Sequence, residues 1–232
     1  MRAIHACWHL IPAPIRYFLG GTLGGGFVHV FRRNFNRHMD RHYGVVTIKP
    51  DLPPAVQTQF DDALQSVPSD YLRLLILRQL LPLNADDIFA DIGSGTGRVI
   101  FVFAHTPCRQ VRGIELDPIA IEECRANIAT FRGPASKIKL FCADCASFQF
   151  TDETVLHFYN PFGPETLRAV LNNLHASVER NPRRVRLCYR GHFASVIDGE
   201  AKWLRLARTI KFRSPRMLIY ESAGAVAPNG RP

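Results

Sequence analysis

A glycine-rich turn follows an apolar run near the middle of the chain and is the first candidate for binding chemistry. Asp91 ends that run, and Gly93, Ser94, Gly95 and Gly97 come directly after it. Glycines at a strand-to-helix turn let the backbone approach a ligand closely, and the first N–H groups of the following helix are free to bind it. The turn therefore predicts a ligand site built largely from backbone.

The two common phosphate-binding loops both differ from this turn. A dinucleotide loop needs a third glycine at the position of Arg98, and a Walker loop needs Gly-Lys followed by Ser or Thr. Pyrophosphate binding is therefore the weaker interpretation. A nicotinamide-dependent oxidoreductase stays open as an alternative, because it would share the glycine turn.

An acidic residue stands at the end of the next predicted strand. Glu115 lies twenty residues beyond Gly95. A carboxylate at the tip of a second strand can accept two hydrogen bonds from a ribose diol. Glu115 therefore predicts a nucleoside ligand, without distinguishing a nicotinamide cofactor from another nucleoside.

A polar and aromatic run, Tyr159-Asn160-Pro161-Phe162, ends the fourth predicted strand. Ligands of open α/β sheets lie at the carboxyl ends of the strands. The side-chain oxygen of Asn160 can accept a hydrogen bond from an amine, and Pro161 removes a backbone donor from the same turn. Asn160, Tyr159 and Phe162 are therefore the candidates for contact with a reacting group.

The elements that must position these residues begin near residue 86. Strands alternating with helices predict a mostly parallel sheet with helices on both faces. An amphipathic helix is predicted before them, over residues 55–81. The predicted strands are 88–92, 111–115, 138–142, 155–159 and 185–189, the helices are 97–104, 118–131 and 164–178, and 203–210 with 217–221 form an antiparallel pair that finishes the sheet.

The motifs together resemble class I methyltransferases that depend on S-adenosylmethionine (SAM), and in particular a family of small bacterial ones. The residues that carry the resemblance are Arg41-His42-Tyr43-Gly44-Val45, Asp91–Arg98, Glu115, Asp144 and Tyr159–Phe162, within residues 38–220. The resemblance implies a Rossmann-like seven-stranded sheet with a helical N-terminal extension. It also implies SAM as the cofactor.

The family's binding residues transfer to matching positions of this chain. Asp91 and the backbone of residues 93–97 would hold the methionine part of SAM, Glu115 the ribose, and Asp144 the adenine. Asn160 would lie at the sulfonium end and, with Tyr159 and Phe162, contact the methyl acceptor. Tyr43 is expected to close the pocket from the N-terminal extension.

The Asn-Pro-Phe run is similar to the Asn/Asp-Pro-Pro-Tyr/Phe box of amino-group methyltransferases, although it is one proline shorter. The resemblance therefore favours an amine acceptor. By analogy with class I protein-lysine methyltransferases, that amine is expected on a protein.

Four segments are predicted along the chain. Residues 1–50 form a basic extension, 51–85 a helical lead-in, 86–222 the methyltransferase domain and 223–232 a tail. Within the extension, residues 1–39 contain no acid, and five glycines argue against a firm helix in the apolar stretch 17–31. That stretch is too short for a transmembrane helix but compatible with peripheral membrane association.

The charge is concentrated in two segments. The whole chain carries +9, residues 1–50 carry seven Lys/Arg and one acid, and residues 179–216 carry eleven Lys/Arg and three acids. Such segments predict an anionic partner such as nucleic acid, a lipid surface or an acidic protein. A non-catalytic basic module on a methyltransferase fold is therefore a second alternative.

The cysteines and histidines give no metal-site pattern. Six cysteines are scattered along the chain, which favours a reducing compartment and hence the cytoplasm. Cys142 and Cys145 form one C-x-x-C pair, and a zinc site would need a second pair. No metal is therefore expected.

Overall fold

The computed structural model describes residues 25–48, 62, 68–211 and 216–222. These residues form one sheet with helices on both faces. Among them, no helix is both long and apolar enough to cross a membrane. In chain order the elements are α1 (Gly25–Tyr43), α2 (Tyr71–Leu80), β1 (Ile88–Ile92), α3 (Arg98–Ala104), β2 (Gln110–Glu115), α4 (Pro118–Thr130), a 3-10 turn (Ala135–Lys137), β3 (Ile138–Cys142), β4 (Val155–Tyr159), α5 (Pro164–Arg180), β5 (Arg186–Arg190), α6 (Ala194–Glu200), β6 (Leu204–Ile210) and β7 (Met217–Ser222).

The sheet has seven strands in the order β3-β2-β1-β4-β5-β7-β6. The first five strands along the chain run parallel, and β7 lies antiparallel between β5 and β6. Strand order reverses between β1 and β4, so a crevice is expected at the carboxyl ends of these two strands. The predicted Rossmann-like seven-stranded fold is confirmed.

Most predicted boundaries agree with the structure to within two residues. Three predictions about helices differ from it. The described part of the lead-in helix begins only at Tyr71, because the Asp70 carboxylate accepts the Leu72 N–H at 3.0 Å and caps the helix there. The short helix α6 was not predicted. The argument against helix in residues 17–31 is wrong for the part of α1 that starts at Gly25.

Each face of the sheet has its own apolar core. On one face, α2 and α3 pack against buried side chains of β1 and β4 such as Phe89 and Val155. On the other face, α5 packs against Leu156 and Phe158 of β4. Since side chains alternate along a strand, β4 contributes to both cores, and its buried polar residue His157 lies on the α2 side with Val155.

The N-terminal extension is tied to the domain by Arg98, which stands where a dinucleotide loop would have glycine. Its buried guanidinium donates to Thr47 Oγ1 at 2.7 Å and to the Ser69 carbonyl at 2.8 Å, and it lies 4.7 Å from the centre of the Tyr71 ring. Burial lowers the pKa of Arg98, and nearby Asp40 opposes that shift. Arg98 therefore has a structural role that explains its departure from the dinucleotide pattern.

The prediction that Tyr43 closes a ligand pocket is wrong. Its side chain is buried and packs between the rings of Tyr71 and Phe131, with centroid distances of 5.5 and 6.2 Å. Burial raises the pKa of its phenol. The chain turns back directly after it at Gly44, whose φ of +73° places the following residues beside α4.

Candidate active site

The glycine turn between β1 and α3 is folded tightly against neighbouring strand ends. Gly93, Gly95 and Gly97 all have positive φ, at 74°, 52° and 97°. The N–H groups of Gly93 and Ser94 both donate to the Ile114 carbonyl, at 2.9 and 3.1 Å. A Cβ on Gly93 would lie 2.7 Å from the Cβ of Pro161, so this position leaves no room for a side chain.

Glu115 joins the tip of β2 to this turn. Its Oε2 accepts the Gly95 N–H at 2.7 Å, and its Oε1 accepts the Asp117 N–H at 3.0 Å. Burial raises the pKa of Glu115, while the two N–H groups act to lower it. The structure therefore brings together the glycine turn and the carboxylate that the sequence predicts for a ribose.

Asp144 follows the next strand end at the same edge of the sheet. The Ala143 N–H donates to the carbonyl of Glu115 at the end of β2, at 2.9 Å. This hydrogen bond places Asp144, the next residue, near the end of β2. The Asp144 Oδ1 accepts the Ala146 N–H at 2.8 Å and stabilises its own loop. Asp144 is half-buried.

The Asp91 carboxylate has a partner that the sequence argument missed. Its Oδ1 lies 2.7 Å from Nδ1 of His157, and both side chains are almost fully buried. Burial raises the pKa of Asp91, and His157 opposes that shift. The two residues are register partners on adjacent parallel strands. Only strand pairing could have identified them, because they are far apart in sequence.

Asn160 adopts an unusual backbone conformation where β4 ends. Among the described residues it is the one non-glycine residue with positive φ, at 47°. Its Oδ1 accepts the His192 N–H at 3.3 Å. The loop after β5 approaches closely here, since a Cβ on Gly191 would lie 3.0 Å from that oxygen.

The two predicted aromatic contacts are engaged within the protein. Phe162 is 6% exposed and packs edge-on against Phe158 at 6.2 Å, inside the core on the α5 side. Tyr159 is half-buried, and the guanidinium of Arg190 lies 4.7 Å from the centre of its ring. Phe162 thus has a packing role in this structure, and one face of Tyr159 is covered by a cation.

The lead-in returns to the same edge of the sheet at Asp62. Its carbonyl accepts the Gly163 N–H at 2.8 Å, and its carboxylate accepts the Thr166 hydroxyl at the start of α5. Asp62 therefore fixes the turn that follows Asn160.

The donor set at this edge fits a nucleoside cofactor. Bare glycine backbone, two carboxylate oxygens already engaged by N–H groups, and the Asp144 loop meet at the strand-order reversal. In the part of the chain that is described, no group of three His, Cys, Asp or Glu side chains could hold a metal ion. Cys142 is exposed and Cys145 buried, both as free thiols, and burial raises the pKa of Cys145.

Comparisons with known proteins agree with this fold. Residues 89–181 match the model of a family described as a methyltransferase domain. No curated protein sequence matches the chain.

Solved methyltransferase structures share the architecture at low sequence identity. An RNA methyltransferase from Salinibacter ruber, in complex with S-adenosyl-L-homocysteine, is 20% identical with a TM-score of 0.50, over 71% of this chain and 98% of that one. A precorrin-6y C5,15-methyltransferase from Geobacter metallireducens is 14% identical with a TM-score of 0.50, over 69% and 92%. The domain match and the shared fold confirm the predicted class, a SAM-dependent methyltransferase, and leave its acceptor open.

Proposed function

We propose that this SAM-dependent methyltransferase transfers the methyl group to an amine nitrogen held at Asn160. The observation that carries the proposal is the positive φ of Asn160 at the carboxyl end of β4, beside the reversal of strand order. A strained residue persists only where the surrounding structure enforces it, and such residues concentrate at functional sites. Asn tolerates this conformation better than most residues, which fits a side chain placed for use.

The residues around the glycine turn would hold the cofactor. Glu115 would bind the ribose through the two oxygens that now accept N–H groups, and the Asp144 loop would bind the adenine. The backbone of residues 93–97 would bind the methionine part. When bound, SAM supplies the electrophile, a methyl group on a positively charged sulfur.

Asn160 would orient the acceptor nitrogen. An amide oxygen has two lone pairs, and the His192 N–H uses one of them at a long 3.3 Å. The second lone pair can accept an N–H of the substrate and so fix the direction of the nitrogen lone pair. Positioning of this kind is the main contribution an enzyme makes when the cofactor already carries a reactive group.

The positive surroundings favour the neutral form of an amine. Arg190 lies over Tyr159, the residue directly before Asn160. A nearby cation disfavours an ammonium ion and lowers the pKa of a bound amine, so the nitrogen keeps the lone pair it needs. A protein lysine gains most from this effect because its ordinary pKa is about 10.4. We therefore place lysine first among the acceptors to test.

The test is transfer of radioactive methyl from SAM to a cell lysate, sorted into protein, nucleic acid and small molecules. Mass spectrometry of the labelled product then identifies the methylated atom. An N-methyl product supports the proposal, whereas methyl on oxygen, sulfur or carbon rejects it.

Two variants separate the side chain of Asn160 from its backbone conformation. Asn160→Ala and Asn160→Gly both remove the amide, but only glycine adopts positive φ freely. We expect both to bind S-adenosylhomocysteine (SAH) like the wild type and to lose turnover by about 10²-fold, with exposed Asn172→Ala as the matched control. Full activity of Asn160→Gly would show that the side chain serves the turn and not the acceptor.

A further inference from the structure

A small cavity opens beside the residues that carry the proposed acceptor site, and Leu74, Leu77 and Met217 form the apolar part of its lining. It lies between the start of α2 and the carboxyl ends of β4 and β5, and its enclosed volume is about 10 Å³. That is room for one water-sized group. The polar side of the cavity is lined by Ser69, Asp70, Arg73, His157, Tyr159 and Arg190.

Among the described residues that line this cavity, positive charge exceeds negative charge. Asp70 is the one acid among the described residues that line it, and its carboxylate is engaged by Arg32 at 2.5 Å and by the cap of α2. Arg73 forms no ion pair within the described residues. Burial lowers the pKa of Arg73, and the neighbouring cations Arg190 and Arg32 lower it further.

A buried polar atom also lacks a partner here. His157 is fully buried and lines the cavity, and its Nε2 has no hydrogen-bond partner in the structure. Its other nitrogen is held by Asp91. A buried polar atom without a partner lowers stability, so the site gains when a polar ligand atom enters.

We propose that this cavity is an anion subsite, which binds a carboxylate or phosphate group close to the target amine of the methyl acceptor; on a protein, this group would belong to an acidic or phosphorylated residue next to the target lysine. The inference rests on the proposed function, because it places the anion beside Asn160. Arg73 and Arg190 would supply charge-assisted hydrogen bonds, which are shorter and stronger than neutral ones. One oxygen of the anion would enter the cavity and accept a hydrogen bond from His157 Nε2, while Asp91 holds the other ring nitrogen.

The arrangement fits an anion better than other ligands. The guanidinium groups of Arg32 and Arg190 both repel that of Arg73. Arg190 also lies over the ring of Tyr159, the residue directly before Asn160. A cationic ligand would add to that repulsion. A neutral ligand would leave the half-buried guanidinium of Arg73 without a charged partner within the described residues.

The test is calorimetry on the full chain saturated with SAH, titrated separately with inorganic phosphate and with acetate. We expect the wild type to bind at least one of them, and the response to each distinguishes a phosphate from a carboxylate. Arg73→Gln should weaken that binding by about tenfold or more, and Arg73→Lys should recover part of it. Exposed Arg125→Gln, which removes the same charge elsewhere, should leave it unchanged.

Failure of this inference is distinguishable from failure of the proposed function. If SAH itself does not bind, the cofactor site is wrong. If SAH binds but neither phosphate nor acetate does, or if Arg73→Gln binds as tightly as Arg125→Gln, the anion subsite is rejected. Circular dichroism of each variant ensures that a loss of binding is not a loss of fold, and His157→Gln supplies a second variant expected to weaken the same titration.

Discussion

Arginines crowd two regions at opposite ends of the sheet, and their partners differ. At the amino end, a groove of about 730 Å³ is lined by Arg183, Arg184, Arg186, Arg205 and Arg208. Glu221 binds Arg184 and Arg205 at 2.8 and 3.3 Å, and Asp87 binds Arg186 at 2.9 Å. The remaining two arginines donate to backbone carbonyls. At the carboxyl end, Asp70 binds Arg32 at 2.5 Å, and the charges of Arg32, Arg190 and Asp70 all act on Arg73, which forms no ion pair within the described residues.

The comparison teaches that net charge along a sequence does not locate an anion site. Residues 179–216 carry eleven bases and three acids, yet most of the arginines in the amino-end groove are used to tie β5, β6 and β7 to their neighbours. The cationic cluster beside Asn160 combines arginines from three separate parts of the chain, Arg32, Arg73 and Arg190. An arginine held in an ion pair is already occupied, whereas Arg73, which has no ion pair within the described residues, is available to a ligand.

The largest effect is expected at the carboxyl end, from Glu115→Ala. The loss of two charge-assisted hydrogen bonds to the ribose should weaken SAH binding by roughly 2–4 kcal/mol. Glu221→Ala, at the amino end, removes a carboxylate with two arginine partners and should leave SAH affinity unchanged. Calorimetry measures both, and equal SAH affinity in the two variants would contradict the assignment of the two ends.

Much of the fold could be predicted because it depends on local patterns. Alternating strands and helices determine the parallel sheet, and the sheet places the residues after each strand at one edge. Gly93, Glu115 and Asn160 meet there for that reason alone. Whether they bind SAM and an amine is still a prediction.

The rest of the site depends on contacts between distant residues. The Asp91–His157 pair needs the register of β1 against β4, and the Arg73–Arg190 cluster needs the packing of α2 on the sheet. Tyr43 and Phe162 have sequence positions compatible with a pocket, but tertiary packing buries both in the cores. A sequence pattern shows which residue types are present and does not show which face of an element each one occupies.

A smaller effect, on stability, is expected at the amino end. Arg186→Gln leaves Asp87 without its charged partner and should reduce the free energy of unfolding by about 1–3 kcal/mol at pH 7. Denaturant unfolding measures this loss. Arg73→Gln, at the carboxyl end, should lower stability less, because it relieves repulsion from neighbouring cations.

The pH dependence of unfolding sharpens the same prediction. Burial alone would raise the pKa of Asp87, but hydrogen bonds from Asn84, Thr154 and Arg186 together lower it. The folded pKa therefore lies below the unfolded value of about 3.9. The stabilisation is complete above that value and is lost as the pH falls through the folded pKa. In Arg186→Gln, the free energy of unfolding should therefore fall less steeply as the pH is lowered through this range. An unchanged pH dependence would contradict the Arg186–Asp87 pairing.

The smallest effect concerns a third set of arginines, on α1. Arg33, Arg37 and Arg41 are exposed at four-residue spacing on one side of the helix, and none forms an ion pair within the described residues. They line a groove of about 500 Å³ together with Val45 and other apolar residues. These three arginines are therefore available to the anionic partner that the sequence predicts for the N-terminal segment.

Vesicles that contain anionic phospholipid test this surface. We expect the triple change of Arg33, Arg37 and Arg41 to glutamine to weaken vesicle binding by about five- to tenfold at 0.1 M salt, and less at higher salt, because exposed charges are screened. The matched control changes Arg109, Arg125 and Arg184 to glutamine, which removes the same charge from three exposed arginines that already have acidic partners.

Their partners compensate much of their charge, so the control should bind vesicles almost like the wild type. Equal losses in the two triple variants would mean that net charge alone governs binding. Binding to RNA without binding to vesicles would assign the surface to nucleic acid. Salt-independent binding would remove the electrostatic explanation altogether.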